Sequence, residues 1–449
     1  MGKRCCYWHK DHDQAHGGEA WGIVVTKEPI DLWIERHEKD PEAELKEKTE
    51  RFLRAAQLKV PDRVPVAGVG GDFLCRYTGI TWYDMSYNLE KIPGAVLKFV
   101  HDFPSDWSII FAPMLLEGFV FALAFADYPD FSNTIRFLCG PVHDILKDKW
   151  SQWPGREIKE DMHPQFRGGE FMKPEEYGKF IEDPVEFIHD TILPRACPGL
   201  GEPGSSRWNA AWIRVGMTMQ KIGAFQAQLF GELIKRGNAA FPITNAYTPA
   251  DVIGDFLRYP TGAMLDMRRT PRDFKAACDA LVEHILKVAT AVPPAPPATF
   301  FFIPLHLNEM LPPKLYGEFY WPQLKKIIEV LVSKGYKGFV FFEGDHSPHV
   351  DTILELPKGW GIAWFERPRD FVAVWEKLKG HTTVMGGVPV SLIASGTPKQ
   401  IDEYIKNLMV KIKPEGGFVL SPGVNELPAD TPVANVRAYI NAALKYGAY

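Results

Sequence analysis

From residue 299 onward, strand-like and helix-like segments alternate along the chain with few residues between them. Such alternation is typical of parallel strands joined by crossover helices, because a parallel connection needs a dozen or more residues. Similar apolar runs occur earlier in the chain. About eight such units favour a (β/α)8 TIM barrel over an open sheet. Strands are predicted at 63–67, 108–111, 239–244, 299–305, 338–343, 361–366, 381–386 and 416–421.

The helical segments and the turn-forming residues between them predict the domain organisation. Residues 1–60 are expected to form a polar leader and an N-terminal helical arm, and residues 61–449 the barrel. The irregular stretch 126–206 is expected to be an insertion over the top face that acts as a lid. The proline run 291–299 joins a helix to a strand and is interpreted as a stiff loop. Helices are predicted at 41–57, 208–236, 271–291, 312–334, 397–411 and 431–445.

Composition excludes several classes of function. The chain has 449 residues, of which 46% are hydrophobic and 24% charged, and its net charge is −5. A weakly acidic chain has no general attraction for nucleic acid or anionic membranes. The apolar segment 107–125 is nearly long enough to cross a bilayer, but it contains Pro113, Glu117 and Gly118. The six cysteines form no CxxC pair, and the N-terminus has no apolar signal sequence. We expect a cytoplasmic protein.

Polar side chains follow the predicted strands at their carboxyl ends, where barrel enzymes build their sites. His306 follows strand 299–305, and Glu343 and Asp345 follow the apolar run 338–342. Because side chains alternate faces along a strand, Glu343 and Asp345 share a face if the strand persists. We therefore expect His306, Glu343 and Asp345 to converge in one pocket. Asp251 and Asp255 follow strand 239–244.

An imidazole and two carboxylates allow two kinds of chemistry. They can bind a divalent metal such as zinc, or they can serve as a general acid and base. Each residue also has a structural alternative: Glu343 could cap a helix or pair with Arg367, Asp345 could belong to a turn, and His306 could be a core histidine. A functional role is favoured for these three residues. A structural role is favoured for the other polar residues at strand ends, namely Asp255, Glu309, Glu366, His346 and His349.

Five segments resemble the uroporphyrinogen decarboxylase superfamily of (β/α)8 barrels. The resemblance covers roughly residues 45–449 and is clearest after residue 300. It implies either decarboxylation of uroporphyrinogen without a cofactor, or methyl transfer to or from a corrinoid, often with a zinc ion that activates a thiol. The segments are PDRVPV (61–66), MLPPKLYGEFYWPQLKKII (310–328), GFVFFEGD (338–345), MGGVPVSLIASGTPKQI (385–401), and GGFVLSPG with LPADTPVANVRAYI (within 416–440).

The sequence departs from the decarboxylase pattern at the residues that matter for its substrate. The decarboxylases have arginines in a PVWFMRQAGR-like motif, where this chain has PVAGVGGDFL (65–74). Their functional tyrosine falls near Asp255, and their GHG-like histidine falls at Val424. Uroporphyrinogen carries eight carboxylates, so a pocket without those cations should bind it poorly. Porphyrin decarboxylation is therefore not expected.

The sequence also departs from the thiol-activating methyltransferases. Their His-x-Cys ligands correspond to Phe341 and Glu343, and their distant cysteine corresponds to Val424. A thiolate-rich zinc site cannot form here. Carboxylate ligands suit a metal that polarises an oxygen, or an acid that protonates one.

The resemblance and these departures predict a methyltransferase that moves a methyl group between a small, O-methylated substrate and a corrinoid (cobalamin-type) cofactor on a separate protein. The chain has no DxHxxG corrinoid-binding motif, so the corrinoid protein is an expected partner. Two alternatives stay open: a decarboxylase or lyase acting on another substrate, and a non-catalytic barrel that binds a tetrapyrrole or corrinoid. The expected catalytic and tentative metal-binding residues are His306, Glu343 and Asp345. The expected substrate-binding residues are Asp251, Phe342, Trp364 and Tyr320.

Overall fold

A parallel six-stranded sheet organises the computed structural model, which describes residues 27–107 and 112–449. Each strand is paired in parallel with the next one along the chain, so that every connection is a crossover. Two short antiparallel ladders precede the sheet in sequence. The ladders are β1 (Leu116–Glu117) with β2 (Phe137–Leu138), and β3 (Ser151–Gln152) with β4 (Gln165–Phe166); the sheet contains β5 (Ile243–Asn245), β6 (Phe300–Leu305), β7 (Lys337–Phe342), β8 (Gly361–Phe365), β9 (Thr383–Val388) and β10 (Phe418–Pro422).

Isolated backbone bridges extend this sheet beyond β10. Val66 bridges Leu420 in parallel, and Ala67 bridges Trp107 in parallel. Among the described residues, no bridge joins the segment at Trp107 to β5, and the predicted strand 108–111 lies outside the described residues. The fold is therefore an α/β fold with a parallel sheet, and the described pairing does not close it into a ring.

Helices cover the sheet and form most of the rest of the chain. Their α-helical bounds are Pro29–Lys39, Pro41–Ala56, Asp72–Thr78, Trp82–Tyr87, Ile92–Asp102, Phe119–Leu123, Pro129–Thr134, Gly140–Leu146, Tyr177–Glu182, Pro184–Phe187, Leu193–Ala196, Ser206–Lys235, Pro249–Val252, Tyr259–Arg269, Pro271–Ala289, Pro313–Phe319, Trp321–Ser333, Phe371–Leu378, Val390–Ser395, Pro398–Ile412 and Val433–Gly447. Shorter 3₁₀ or π turns lie at Pro174–Glu176, Ile188–Ile192, Ile253–Leu257, Asn308–Met310, Ser347–Glu355 and Lys413–Glu415. The predicted helix 312–334 is two helices, because Pro322 lies in the first turn of the second one and cannot continue the first.

Aromatic side chains form a buried cluster on one face of the sheet. Trp107 packs edge-on against Phe339, with ring centroids 5.0 Å apart, and Phe52 lies 5.0 Å from Trp107. Phe52 comes from the helix Pro41–Ala56, whose last turn also accepts a hydrogen bond at Ala55 O from Thr383 Oγ1 (2.7 Å). Thr383 is the first residue of β9, so this helix covers the amino ends of the strands. The carboxyl ends are left for the loops that follow the strands.

The described residues of the apolar segment 112–125 include no helix that could span a membrane. In the described part of the chain, each helix is either too short or too polar to cross a bilayer. The helix Phe119–Leu123 has five residues and is fully buried in the protein core. The expectation of a cytoplasmic protein stays a prediction.

Candidate active site

The pairing of β6 with β7 places His306 beside Glu343. Leu305 and Phe342, the last residues of these strands, are register partners, so the next residue of each chain segment emerges at the same edge of the sheet. His306 Nε2 lies 3.5 Å from Glu343 Oε1. The two residues predicted to converge at the carboxyl ends of the strands thus lie together.

The second nitrogen of His306 is held by a carboxylate from a different loop. His306 Nδ1 donates to Asp255 Oδ2 at 2.6 Å, and Tyr247 Oη donates to the same oxygen at 2.8 Å. Burial lowers the pKa of His306, but the charges of Asp255 and Glu343 outweigh it and raise the pKa well above the ordinary value. The two carboxylates therefore favour the imidazolium form of His306.

Asp251 supports the turn that carries His306. This fully buried carboxylate accepts hydrogen bonds from Leu307 N (2.9 Å) and His306 N (3.2 Å), and from Tyr320 Oη (2.5 Å). Burial raises the pKa of Asp251 to about 6, against the opposing charge of His306. The acid fixes the backbone after β6 by satisfying two amides that the strand leaves unpaired.

Glu117 is a further acidic residue close to His306, Asp255 and Glu343. Its side chain is partly buried and lines the same cavity as His306, Asp255 and Glu343. Burial raises the pKa of Glu117 to about 7; the positive His306 opposes this rise, while Glu343 and Asp255 add to it. A carboxyl group with that pKa exchanges protons at neutral pH, which is the property of a general acid.

A cavity of about 510 Å³ lies over these groups. Its wall combines the strand ends with segments from the 126–206 region and with residues 114–117. It contains four carboxylates, one arginine and two histidines. The lining residues are Met114, Leu115, Leu116, Glu117, Phe137, His163, Phe166, Arg167, Gly168, Asp255, Tyr259, Pro260, His306, Met310, Glu343 and Glu426.

His163 and Glu426 form a second polar group on this wall. His163 Nδ1 donates to Pro164 O at 2.7 Å, and its Nε2 lies 3.7 Å from Glu426 Oε1. The His163 ring meets the edge of Trp82, with centroids 4.2 Å apart. Burial lowers the pKa of His163, but Glu426 and the backbone carbonyl raise it overall. The cavity therefore has a hydrogen-bonding group away from the acid cluster.

The predicted place of Asp345 is corrected by the structure. The strand ends at Phe342, and Gly344 adopts a φ of +66°, so the alternation of faces does not reach Asp345. Its carboxylate accepts instead from Arg369 Nε (2.6 Å) and Ser347 N (3.1 Å). It does not line the cavity, and it belongs to a surface ion pair.

The structure brings together two of the three predicted metal ligands. Of the three proposed ligands, His306 and Glu343 meet, whereas Asp345 is bonded to Arg369. Over residues 27–107 and 112–449, no group of three His, Cys, Asp or Glu side chains has the arrangement to hold one metal ion. The three predicted ligands therefore do not meet at one point, and a zinc or other divalent metal cofactor stays a prediction.

The four predicted substrate-binding residues lie away from the cavity wall. Trp364 packs against Phe341 on one face of the sheet, with ring centroids 4.1 Å apart. Phe342 stacks on Phe365 on the opposite face, with ring centroids 5.0 Å apart. Tyr320 Oη donates a hydrogen bond to Asp251, which supports the turn that carries His306. These contacts are packing and support, because all four side chains are buried in the protein itself.

Two residues of the cluster went unrecognised in the sequence. The sequence pattern favours a structural role for Asp255, whereas in the structure it accepts a hydrogen bond from His306 Nδ1. Glu117 lies in an apolar run and is the only ionisable residue between Asp106 and Asp127. A lone carboxylate in so apolar a segment is the signal that could have identified it, because such a group is rarely buried without a role.

The parallel sheet and the acid cluster at its carboxyl ends define an α/β protein whose site is built from the loops that follow the strands. Within that class, the chain belongs to the uroporphyrinogen decarboxylase (URO-D) family, whose sequence model matches residues 213–446. A solved structure of a methyltransferase from Methanosarcina mazei is similar, with a TM-score of 0.54 and 15% sequence identity, covering 88% of this chain and 98% of that chain. At that identity the likeness is one of fold. No curated protein matches the sequence significantly.

Proposed function

We propose that this protein is a methyltransferase that moves a methyl group between a small O-methylated substrate and a corrinoid carried by a separate protein. The observation that carries the proposal is Glu117, a carboxyl group with a pKa of about 7 that faces the same cavity as the imidazolium of His306. The family membership and the methyltransferase among similar folds support it. We also propose that the parallel sheet belongs to a closed (β/α)8 barrel.

The reaction requires a proton at the oxygen that loses the methyl group. The reduced corrinoid of the partner protein would accept the methyl group, and the electron pair of the broken C–O bond would stay on the oxygen. Protonated Glu117 gives its proton to that oxygen, which leaves as an alcohol or phenol. The resulting carboxylate is stabilised by the positive charge of His306, which Asp255 and Tyr247 hold in place.

The charges of the cavity support a neutral substrate. Four carboxylates line it, against one arginine and two histidines. A ligand with many carboxylates, such as uroporphyrinogen, would meet like charges that cost several kcal/mol in a partly desolvated site. The volume of about 510 Å³ suits a small organic molecule and leaves the corrinoid to approach from the open side.

A lyase is the second candidate, because the same acid could protonate the carbon left after loss of CO₂. The two functions differ in their products. Methyl transfer gives a demethylated substrate and a methylated corrinoid, whereas a lyase releases CO₂ and needs no corrinoid.

The test supplies aryl methyl ethers and reduced cobalamin, and follows phenol release together with the absorbance change of the methylated corrinoid. Glu117→Gln keeps the shape and removes the proton, so kcat should fall by about a hundredfold or more. Asp345→Asn is the matched control, because Asp345 faces Arg369, and its activity should stay unchanged. Melting temperatures of both variants separate a catalytic loss from a folding loss. Absence of corrinoid methylation by the wild type would refute the methyltransferase, and full activity of Glu117→Gln would refute the acid.

A further inference from the structure

A second cavity of about 540 Å³ lies beside the candidate active site. Leu115 and Phe137 line both cavities, and the β1–β2 ladder, in which Glu117 is the register partner of Phe137, stands between them. The wall of the second cavity is largely apolar, with side chains such as Trp107, Met219 and Phe302. Its volume is in the range of cavities that bind small organic ligands.

One guanidinium on this wall has no anionic partner. Arg136 Nε and Nη1 are buried and make no hydrogen bond to any described residue, and Nη2 reaches only Ile243 O at 3.4 Å. No carboxylate pairs with it among the residues of the described ranges. Burial lowers the pKa of Arg136 to about 10, so the group still carries its charge at neutral pH.

The guanidinium lies over the ring of Phe137, with Cζ 5.4 Å from the centroid. A buried charge without a counter-charge is still unusual, because desolvation is unfavourable unless an opposite charge compensates for it. Asn133 Oδ1, on the same wall, is also buried without a hydrogen-bond partner. The two unsatisfied groups therefore belong to a space enclosed mainly by aromatic and aliphatic side chains. That combination complements a molecule with an apolar body and one anionic end.

We propose that this second cavity binds an apolar carboxylate, whose carboxylate group accepts hydrogen bonds from Arg136 while its hydrocarbon body fills the space between the helix Ser206–Lys235 and β5. The planar guanidinium offers two parallel donors, which match the two oxygens of a carboxylate. This proposal does not depend on the proposed methyl transfer, since it concerns a different cavity with its own residues.

A glycine at the opening of the cavity allows a second, independent test of the proposal. Gly223 lines the cavity from the long helix and is exposed at its rim, and a Cβ added there would meet no atom within 4 Å. Gly223→Leu should therefore place a side chain in the opening without a clash. Gly231 lies on the same helix, also has open space around an added Cβ, and does not line the cavity. Gly231→Leu is the matched control.

The experiment is calorimetric titration of the full chain with 2-naphthoate and with decanoate, and with 2-naphthamide as the uncharged analogue of the first. At least one carboxylate should bind, and the amide should bind at least about tenfold more weakly than naphthoate if that is the ligand accepted. Arg136→Met should weaken carboxylate binding by about tenfold or more. Gly223→Leu should weaken binding as well, and Gly231→Leu should leave it unchanged.

Three results would overturn the proposal: neither carboxylate binds, the amide binds as tightly as naphthoate, or Arg136→Met retains the wild-type affinity. Melting curves check that each variant is folded. If Arg136→Met does not fold, the comparison of Gly223→Leu with Gly231→Leu decides, because equal affinity in these two variants would show that the carboxylate binds elsewhere.

Discussion

Replacing Asp255 by Asn should remove the charge that keeps His306 protonated. The two side chains are joined at 2.6 Å and are only 7% and 22% exposed, so the pair is buried rather than solvated. Removing one partner of a buried ion pair costs about 3–5 kcal/mol. With an unfolding entropy of roughly 2.1 cal/mol/K per residue, a chain of 449 residues has about 0.9 kcal/mol/K, so Tm should fall by about 3–5 °C.

The loss of stability in Asp255→Asn should depend on pH. The pKa of His306 is raised in the folded protein, so its contribution to stability is fully present below the unfolded value of about 6.5 and is lost as pH rises through the folded pKa. In Asp255→Asn the folded pKa is closer to the ordinary value. The gap in Tm between wild type and variant should therefore be widest near pH 6.5 or below and should narrow as pH rises.

Two measurements check this prediction. Calorimetric melting over the pH range gives the gap in Tm, and NMR of ¹³Cε1-labelled histidine gives the pKa of His306, assigned by the signal lost in His306→Gln. Asp345→Asn is the matched control: its partner Arg369 is 78% exposed, and surface pairs contribute only about 0–1 kcal/mol. Equal Tm values for wild type and Asp255→Asn across the range, or an ordinary pKa for His306 in the wild type, would refute the reasoning.

Three further predictions concern the same region. Gly344→Ala should destabilise the protein by about 1–2 kcal/mol in chemical denaturation, because Gly344 has a φ of +66° and an added Cβ would meet Glu309; an unchanged midpoint would contradict this conformation. Trp364→Ala should cost about 3–5 kcal/mol, because the side chain is core, not cavity wall; normal stability with lost substrate affinity would contradict its place in the core. The pH profile of kcat/KM should fall above about pH 7, as Glu117 loses its proton, and Glu117→Gln should lack that limb.

Five of the six strands of the sheet were predictable because each is a short apolar run bounded by turn residues, whereas β5 begins at Ile243, four residues after the predicted start. The predicted 299–305, 338–343, 361–366, 381–386 and 416–421 agree with β6 to β10 within two residues at each end. Helix starts were predictable where a side chain caps the backbone, as at Thr397, which accepts from Gln400 N. The predicted helix 431–445 begins two residues later, at Val433, because Pro432 is extended.

The candidate site was only partly predictable, because its members come together by different kinds of geometry. His306 and Glu343 follow neighbouring strands, so local sequence indicated both. The prediction for Asp345 required the strand to continue past Phe342, but the strand stops before Gly344. The left-handed conformation of Gly344 turns the chain, so Asp345 does not share the face of Glu343. Glu117 reaches the cavity through an antiparallel pairing with Phe137 twenty residues later, which no local pattern specifies.

The bridges at Val66 and Ala67 have a consequence for biosynthesis. Val66 pairs with Leu420, about 350 residues later in the chain, and Val64 N donates to Gly447 O near the C-terminus. At a translation rate of roughly 5–20 residues per second, on the order of 20–70 s pass between the synthesis of Val66 and that of its partner Leu420. Throughout that time its apolar edge is unpaired, so the nascent chain must be shielded from aggregation until the last strand leaves the ribosome.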